Sequence, residues 1–424
     1  MRELLRHRQM RVYLVGQGLS LFGSMSLWLA AGIFVKTLTD SYGAAGMAFF
    51  CVALGTLCGP LGGVLVDRFP RRPLLIATNT AAALLLAPLL LVREPNQVWL
   101  LYTVLFGYGA LHGLIASGQS ALLAGMLPTE LLPHANSALR TIQEGLRLLA
   151  PLAGAGLVAW QGFYAVVWLD IAGFLAAAVT LLLIRPQEAV VTKVKERFLD
   201  AVTAGMRHIR RHQALWSFTL ACAAATSVIG FGESALFAVV DLGLDRPTAF
   251  VGVLLTAQGV GAIVAGPLAG ALINRFGELR LAAVGLTLFA SGNALWIVPS
   301  LPVTLMGAAL AGAGLPWLTI GAITLMQRRS PPHLQGRVFS GFDLAVTVPQ
   351  VLSIALGAAL IELVGYQTLL LIGAGVMALA AALMLRVHRR DVRAADPTPT
   401  TDEDLVGSQA VSRPSPEPAK APAA

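Results

Sequence analysis

Long apolar stretches, most of them free of charge, dominate the chain, divided by short segments that gather most of its Lys, Arg, Asp and Glu residues. A helix needs about 20 apolar residues to cross the hydrocarbon core of a bilayer, and the stretches have that scale. Six fall in the first half: residues 12–35, 41–66, 73–92, a fourth within 95–129, 137–159 and 163–184. Six more follow at 214–240, 247–273, 281–298, 302–326, 338–363 and 366–385. The 47 uncharged residues between Arg280 and Arg328 exceed one helix, and Pro299-Ser300-Leu301-Pro302 divides them. Residues 185–213, rich in Lys and Arg, predict a linker with an amphipathic helix around 196–211. After Arg386 the composition turns to Pro, Ala, Thr, Asp and Glu, which cannot bury a core and predicts a disordered tail. The expected fold class is all-α integral membrane with twelve transmembrane helices. It divides into an N-terminal half (1–184), a linker (185–213), a C-terminal half (214–386) and a cytoplasmic tail (387–424).

Composition supports this reading. Of the 424 residues 56% are hydrophobic and only 12% charged, against about 25% charged in soluble domains. The 43 glycines suit helices that pack closely in lipid. A net charge of +8 would suit nucleic acid if it were clustered. Here the charges flank apolar stretches, so a lipid bilayer is expected and nucleic acid is not. With both termini inside, the inner segments hold 27 of the 30 Lys and Arg residues, leaving Lys36, Arg93 and Arg246 outside. This positive-inside asymmetry predicts a multi-pass protein of the plasma (inner) membrane with both termini cytoplasmic. The basic N-terminus runs straight into the first span, so no cleaved leader is expected. Cys51, Cys58 and Cys222 sit in apolar segments with no disulfide or metal spacing. With no H-E-x-x-H or G-x-S-x-G motif, neither an enzyme nor a metal or cofactor is expected.

The halves repeat. Gly59-Pro60-Leu61-Gly62-Gly63-Val64-Leu65-Val66-Asp67-Arg68-Phe69 matches Gly266-Pro267-Leu268-Ala269-Gly270-Ala271-Leu272-Ile273-Asn274-Arg275-Phe276 at a constant offset of 207, with seven of eleven residues identical. Parallel repeats of this kind place a substrate site near the bilayer midplane. Gly63-x-x-x-Asp67-Arg68-x-x-Arg71-Arg72 resembles the loop signature of the major facilitator superfamily, and Asn274-Arg275-Phe276-Gly277 resembles its weaker copy. Within that superfamily the chain is similar to bacterial drug and siderophore exporters of the enterobactin-exporter type, also through Ala135-Asn136-Ser137-Ala138-Leu139. The signature usually has Gly where this chain has Pro70, which restricts the backbone. The Arg carried by the fourth helix of many proton-driven members is missing, and the helix-five exporter motif survives only as Ala150-Pro151-Leu152-Ala153-Gly154.

The resemblance implies a major facilitator fold and a secondary transporter that carries a small-molecule substrate, with protons as the coupling partner. A monomer is the expected unit. It also implies a gating role for Gly63, Asp67, Arg68, Arg71 and Arg72, with Asn274 and Arg275 as the counterpart, and places the start of helix eleven near Arg337 as the partner of Asp67. Read on their own, the arginines are equally positive-inside anchors, and Asp67 could pair locally or face a helix N-terminus.

Glu233 is the sharpest candidate for proton coupling or substrate contact. An acid at membrane depth costs about 2.5–3.5 kcal/mol and usually faces a cavity. Leu21-Phe22-Gly23-Ser24 matches Gly230-Phe231-Gly232-Glu233 at an offset of 209, so Ser24 stands where the other half has its acid. The proton chemistry is therefore expected in the C-terminal half. Asp343, His112, Gln119 and Gln17 are further polar candidates, with helix-dipole stabilisation or packing as alternatives. Asp170 is expected in an interhelical hydrogen bond, and Asp241 and Glu362 in solvent. Trp28, Phe231, Phe237 and Trp317 are candidate cavity aromatics. A cavity with few charges suits a lipophilic or amphipathic cargo. The expected activity is its proton-coupled efflux by alternating access. An importer on the same fold and a non-transporting sensor are the alternatives.

Overall fold

In the computed structural model the described residues are 8–58, 69–126, 132–184, 198–331 and 334–395. Eight of their helical segments are long and apolar enough to cross a bilayer. The last of these contains two helices divided at Gly365, and three shorter or more polar helices complete twelve elements. The first six are α1 (Arg8–Thr39), α2 (Tyr42–Thr56), α3 (Arg71–Leu86), α4 (Val98–Met126), α5 (Leu132–Gln161) and α6 (Phe163–Leu183). An amphipathic linker helix occupies Phe198–Arg211. The second six are α7 (Gln213–Ala238), α8 (Val251–Ala265), α9 (Glu278–Leu295), α10 (Leu301–Arg329), α11 (335–364) and α12 (366–395).

Prolines and glycines set several boundaries. Pro267 cannot donate a backbone hydrogen bond, so the single span expected over 247–273 becomes α8 and a short helix, Leu268–Phe276. Gly162, Gly277 and Gly365 have φ of 85°, 81° and 76°, a region essentially confined to glycine, and each marks the turn between two helices. Two sequence expectations change. The last helix runs on to Ala395, so residues 387–395 extend α12 rather than open the tail. Arg140 and Arg147, counted above with the inner segments, both fall inside α5.

Each half has its own core. Within the first, α1 packs on α5 and α6, α2 on α4, and α3 on α6; within the second, α10 packs on α8 and α9, and α7 on α11 and α12. Lipid tails are as apolar as the side chains, so close contact depends on small residues. At the α8–α10 contact a Cβ on Gly312 would lie 1.6 Å from the Gln258 carbonyl, and one on Gly261 1.9 Å from that of Ala309. The halves meet chiefly through α2 against α7 and α11 and through α5 against α8. Leu29, Ile33, Ala45, Phe49 and Ala155 of the first half join the core cluster of the second. All lie toward the end where the loops carry few charges, here termed the charge-poor end; the other is the basic end.

Replacing Gly312 by Ala should destabilise the bundle by about 1–3 kcal/mol. The same change at exposed Gly375, where nothing lies within 4 Å of a new Cβ, should be neutral or stabilising. Thermal unfolding in detergent checks both; equal melting temperatures would contradict the α8–α10 contact.

Candidate functional site

The charge-poor end is closed by polar contacts between the halves. Lys36, near the end of α1, is only 5% exposed. Its ammonium lies 2.5 Å from Asp40 and 3.5 Å from Asp241, which follows α7. It also sits 4.3 Å above the Tyr42 ring, and the Tyr42 hydroxyl donates to Asp241 at 2.6 Å. Ser41 donates its hydroxyl to Glu362 on α11, and the Gly43 N–H donates to the same carboxylate at 3.4 Å. Glu362 is exposed and the Asp241 side chain is 42% exposed, in line with the solvent access expected of them. Both also accept hydrogen bonds in this latch, where the closing of the two halves brings their helix ends onto α1 and α2. The latch follows the internal repeat. Lys36 and Asp241 are 205 residues apart, as are Asp40 and Asp245, the two non-glycine residues with positive φ (53° and 51°) among the described residues.

Below the latch an aromatic roof continues the contact. Trp28 and Phe49 have ring centroids 4.6 Å apart, and Phe49 stacks on Phe237 at 5.7 Å. Gly32 leaves room for both Phe rings. Of the aromatic candidates, Trp28 and Phe237 thus meet between the halves, joined by Phe49. Phe231 packs within the second half beside Gly357, and the Trp317 indole N–H donates to the Ala265 carbonyl at 2.8 Å, tying α10 to α8.

The polar candidates separate into three groups. Gln119 donates to Gln17 at 2.8 Å, linking α4 to α1. Ser24 donates to the fully buried Asp170 at 3.1 Å, and the second oxygen of this carboxyl has no hydrogen-bond partner among the described residues. The His112 ring lies over Tyr108, with centroids 6.4 Å apart. Glu233 is half-buried on α7. Its electrostatic partner is Arg147, an exposed residue halfway along α5. Arg147 escaped the sequence reading because, although it falls inside the span expected at 137–159, it was counted with the inner charges as a topology signal. The signal was present: Arg140, Glu144 and Arg147 recur at i, i+4 and i+7 in an otherwise apolar helix, the spacing of one face.

At the basic end, Gly63, Asp67 and Arg68 lie outside the described residues. Arg72 donates to the carbonyls of Leu181 and Leu182, both at 2.9 Å, where a cation suits the C-terminus of α6; Arg71 is half-buried beside it. Asn274 and Arg275 are exposed, with Arg275 5.2 Å from the Phe276 ring. The start of α11 packs against the linker helix, where a Cβ on Gly205 would overlap the Arg337 carbonyl. Asp343 is exposed and stands over two turns into α11, beyond the first-turn reach of the helix dipole.

Two six-helix halves, each with its own core and closed on each other at one end, have the architecture of a polytopic membrane protein. The chain belongs to the major facilitator superfamily, whose family model matches residues 13–250 and again 227–419. It is 23% identical to macrolide efflux protein A of Streptococcus pyogenes over 364 residues, 82% of this chain and 88% of that protein. It is 26% identical to the multidrug resistance protein MdtG of Salmonella paratyphi C over 346 residues, 78% and 82% of the two chains. The crystal structure of a bacterial homologue of the iron transporter ferroportin in an inward-facing state shares the fold, with a TM-score of 0.70 at 19% identity over 90% of this chain and 98% of that one. The family is one of membrane transporters of small molecules, not of enzymes.

Neutralising the latch should open the charge-poor end. In a background without Cys51, Cys58 and Cys222, a cysteine replacing the fully buried Ser234 should react severalfold faster with an impermeant thiol reagent in Lys36→Met or Asp241→Asn. The exchange Lys36→Asp with Asp241→Lys should restore protection, and unchanged labelling in all variants would refute the latch. The Lys36 hydrogen bond and charge hold the Asp40 carboxyl below its ordinary value. A depressed group contributes stability above its unfolded value and loses it as pH falls through the folded one. The Lys36–Asp40 contact should thus persist through the ordinary carboxylate range, about pH 4, and loosen only below it, as carboxylate NMR of Asp40 across that range would show.

Proposed function

We propose that the chain is a proton-coupled exporter of a lipophilic or amphipathic small molecule that works by alternating access. The supporting observation is the placement of Glu233. It lies one turn below Phe237, on the same face of α7, and Phe237 contacts Phe49 and Gly32 of the first half. This turns Glu233 toward the space between the halves, beneath the closed end. A carboxyl there can be ionised in water and neutral when enclosed, which a proton carrier requires. The efflux activity named for macrolide efflux protein A and the multidrug resistance named for MdtG support export, as does the apolar, aromatic roof.

In this reading the basic end is cytoplasmic, with both termini, because the Lys and Arg residues gather there, and the membrane is the plasma membrane. The bodies spanning 1–184 and 214–386 rock about the linker 185–213 as the latch opens and the basic end closes, with Asp67 and its neighbouring arginines acting on the closing side. One chain holds the complete pathway and acts as a monomer. A membrane potential supplies about 2.3 kcal/mol per charge per 100 mV, enough for one proton to sustain roughly a 50-fold gradient.

In everted vesicles a fluorescent amphiphile should accumulate on energisation. A protonophore should abolish the accumulation, and so should Glu233→Gln. Accumulation only in right-side-out vesicles would reverse the direction; accumulation unchanged by Glu233→Gln would remove its coupling role.

A further inference from the structure

Arg147 and Glu233 each lie, by helix register, on a face turned to the opposite half. On α5, Pro151 and Ala155, four and eight residues beyond Arg147, pack against Gly252 of α8. Arg147 therefore stands on the face of α5 turned to the second half, one turn nearer the basic end than that contact. On α7, Phe237, four residues beyond Glu233, reaches Gly32 and Phe49 in the first half. Each charge thus sits one turn below a contact that closes the halves, on the helix face that carries that contact. Arg147 is exposed, and Glu233 is half-buried. Among the described residues neither side chain makes a hydrogen bond or ion-pair contact within the protein, although the two charges interact at longer range.

We propose that Arg147 and Glu233 together recognise a zwitterionic amphiphile, whose carboxylate or comparable anion binds the Arg147 guanidinium and whose ammonium binds the Glu233 carboxylate. The apolar body of this cargo lies under the Trp28–Phe49–Phe237 roof. The inference rests on the reading of Glu233 as a residue of the transport cavity. Simpler cargoes fit the pair less well. A lone cation at Glu233 brings its charge beside Arg147, and a lone anion at Arg147 brings its charge beside Glu233. A neutral molecule dehydrates both without pairing either, and removing water from an unpaired charge is costly. A guanidinium, planar and always charged, suits a carboxylate. The zwitterion also gives the sign that exchange requires. When Glu233 takes up a proton the ammonium loses its partner and the cargo leaves; when the proton departs, the carboxylate can bind the next ammonium. Proton and cargo compete for one carboxylate, and no other group need change charge.

The test uses the full-length protein in lipid nanodiscs at neutral pH and four probes that share one aryl–alkyl body. Their head groups are an α-amino acid, an amine, a carboxylate and a neutral amide, and calorimetry gives each Kd. The amino-acid probe should bind about tenfold or more tighter than either singly charged probe, as expected for one added charge-assisted contact. Arg147→Gln should reduce it to the level of the amine, and Glu233→Gln to that of the carboxylate. Arg147→Lys should keep most of the advantage, which separates a charge role from a folding defect. Equal binding of the amino-acid and amine probes, the absence of any binding, or an advantage that survives Arg147→Gln would overturn the proposal. Vesicles that fail to export while the zwitterion preference persists would instead refute the coupling and direction proposed above and leave this recognition intact.

Discussion

An ionised side chain among lipid tails costs about 2.5–3.5 kcal/mol on insertion scales, so every charge between the two ends of this bundle requires a partner or water. The structure meets the requirement in three ways. Lys36 is buried but held by Asp40 and Asp241. Asp170 is enclosed by its own half and bonded by Ser24. Arg147 and Glu233 face the space between the halves. Moving any of these groups by one or two residues along its helix would turn it to hydrocarbon or to a neighbouring backbone. The arrangement of the helices therefore follows from the charges as much as from the apolar residues.

The same solvent separates rigid contacts from reversible ones. Within each half, glycines bring backbones together so closely that a single methyl group would collide, as Gly312 and Gln258 do between α8 and α10. Between the halves small residues also approach closely, as Gly43 does the Ala358 carbonyl and Gly252 does Ala155, but these contacts, three rings and a few polar groups are gathered at the charge-poor end. Hydroxyl and carboxylate contacts there can exchange for water when the end opens, so parting costs less than disrupting either half. A protein built this way divides along the seam on which its facing charges lie.

Much of the architecture was legible because lipid simplifies the code. Charge-free runs mark spans, and the Gly-Pro-Leu and Arg-Phe matches reveal the repeat. Ser24 and Glu233 were also set against each other by sequence, although Ser24 bonds Asp170 rather than facing the cleft. What could not be read was pairing across the halves. Lys36 looked like a topology charge and Asp241 like a solvated one, since no local pattern shows that two helix ends 205 residues apart will meet. Arg147 was hidden for the opposite reason: counting charges by segment treats every arginine as a boundary, and this one lies inside a helix.

The three glycine turns carry a consequence for how the two halves have diverged. Gly277, with its positive φ, joins the short helix Leu268–Phe276 to α9, and Pro70 occupies the matching position before α3 with φ of −56°. Proline is confined to that side of backbone space, whereas glycine can adopt either. Exchange at this pair is therefore asymmetric: glycine could replace Pro70 without steric conflict, but proline could not replace Gly277 without rebuilding the turn. A recombinant assembled from two copies of the first half would inherit the restricted turn twice and lose one that its partner requires. Duplicated domains that began as equals have become, at this single residue, parts that no longer interchange.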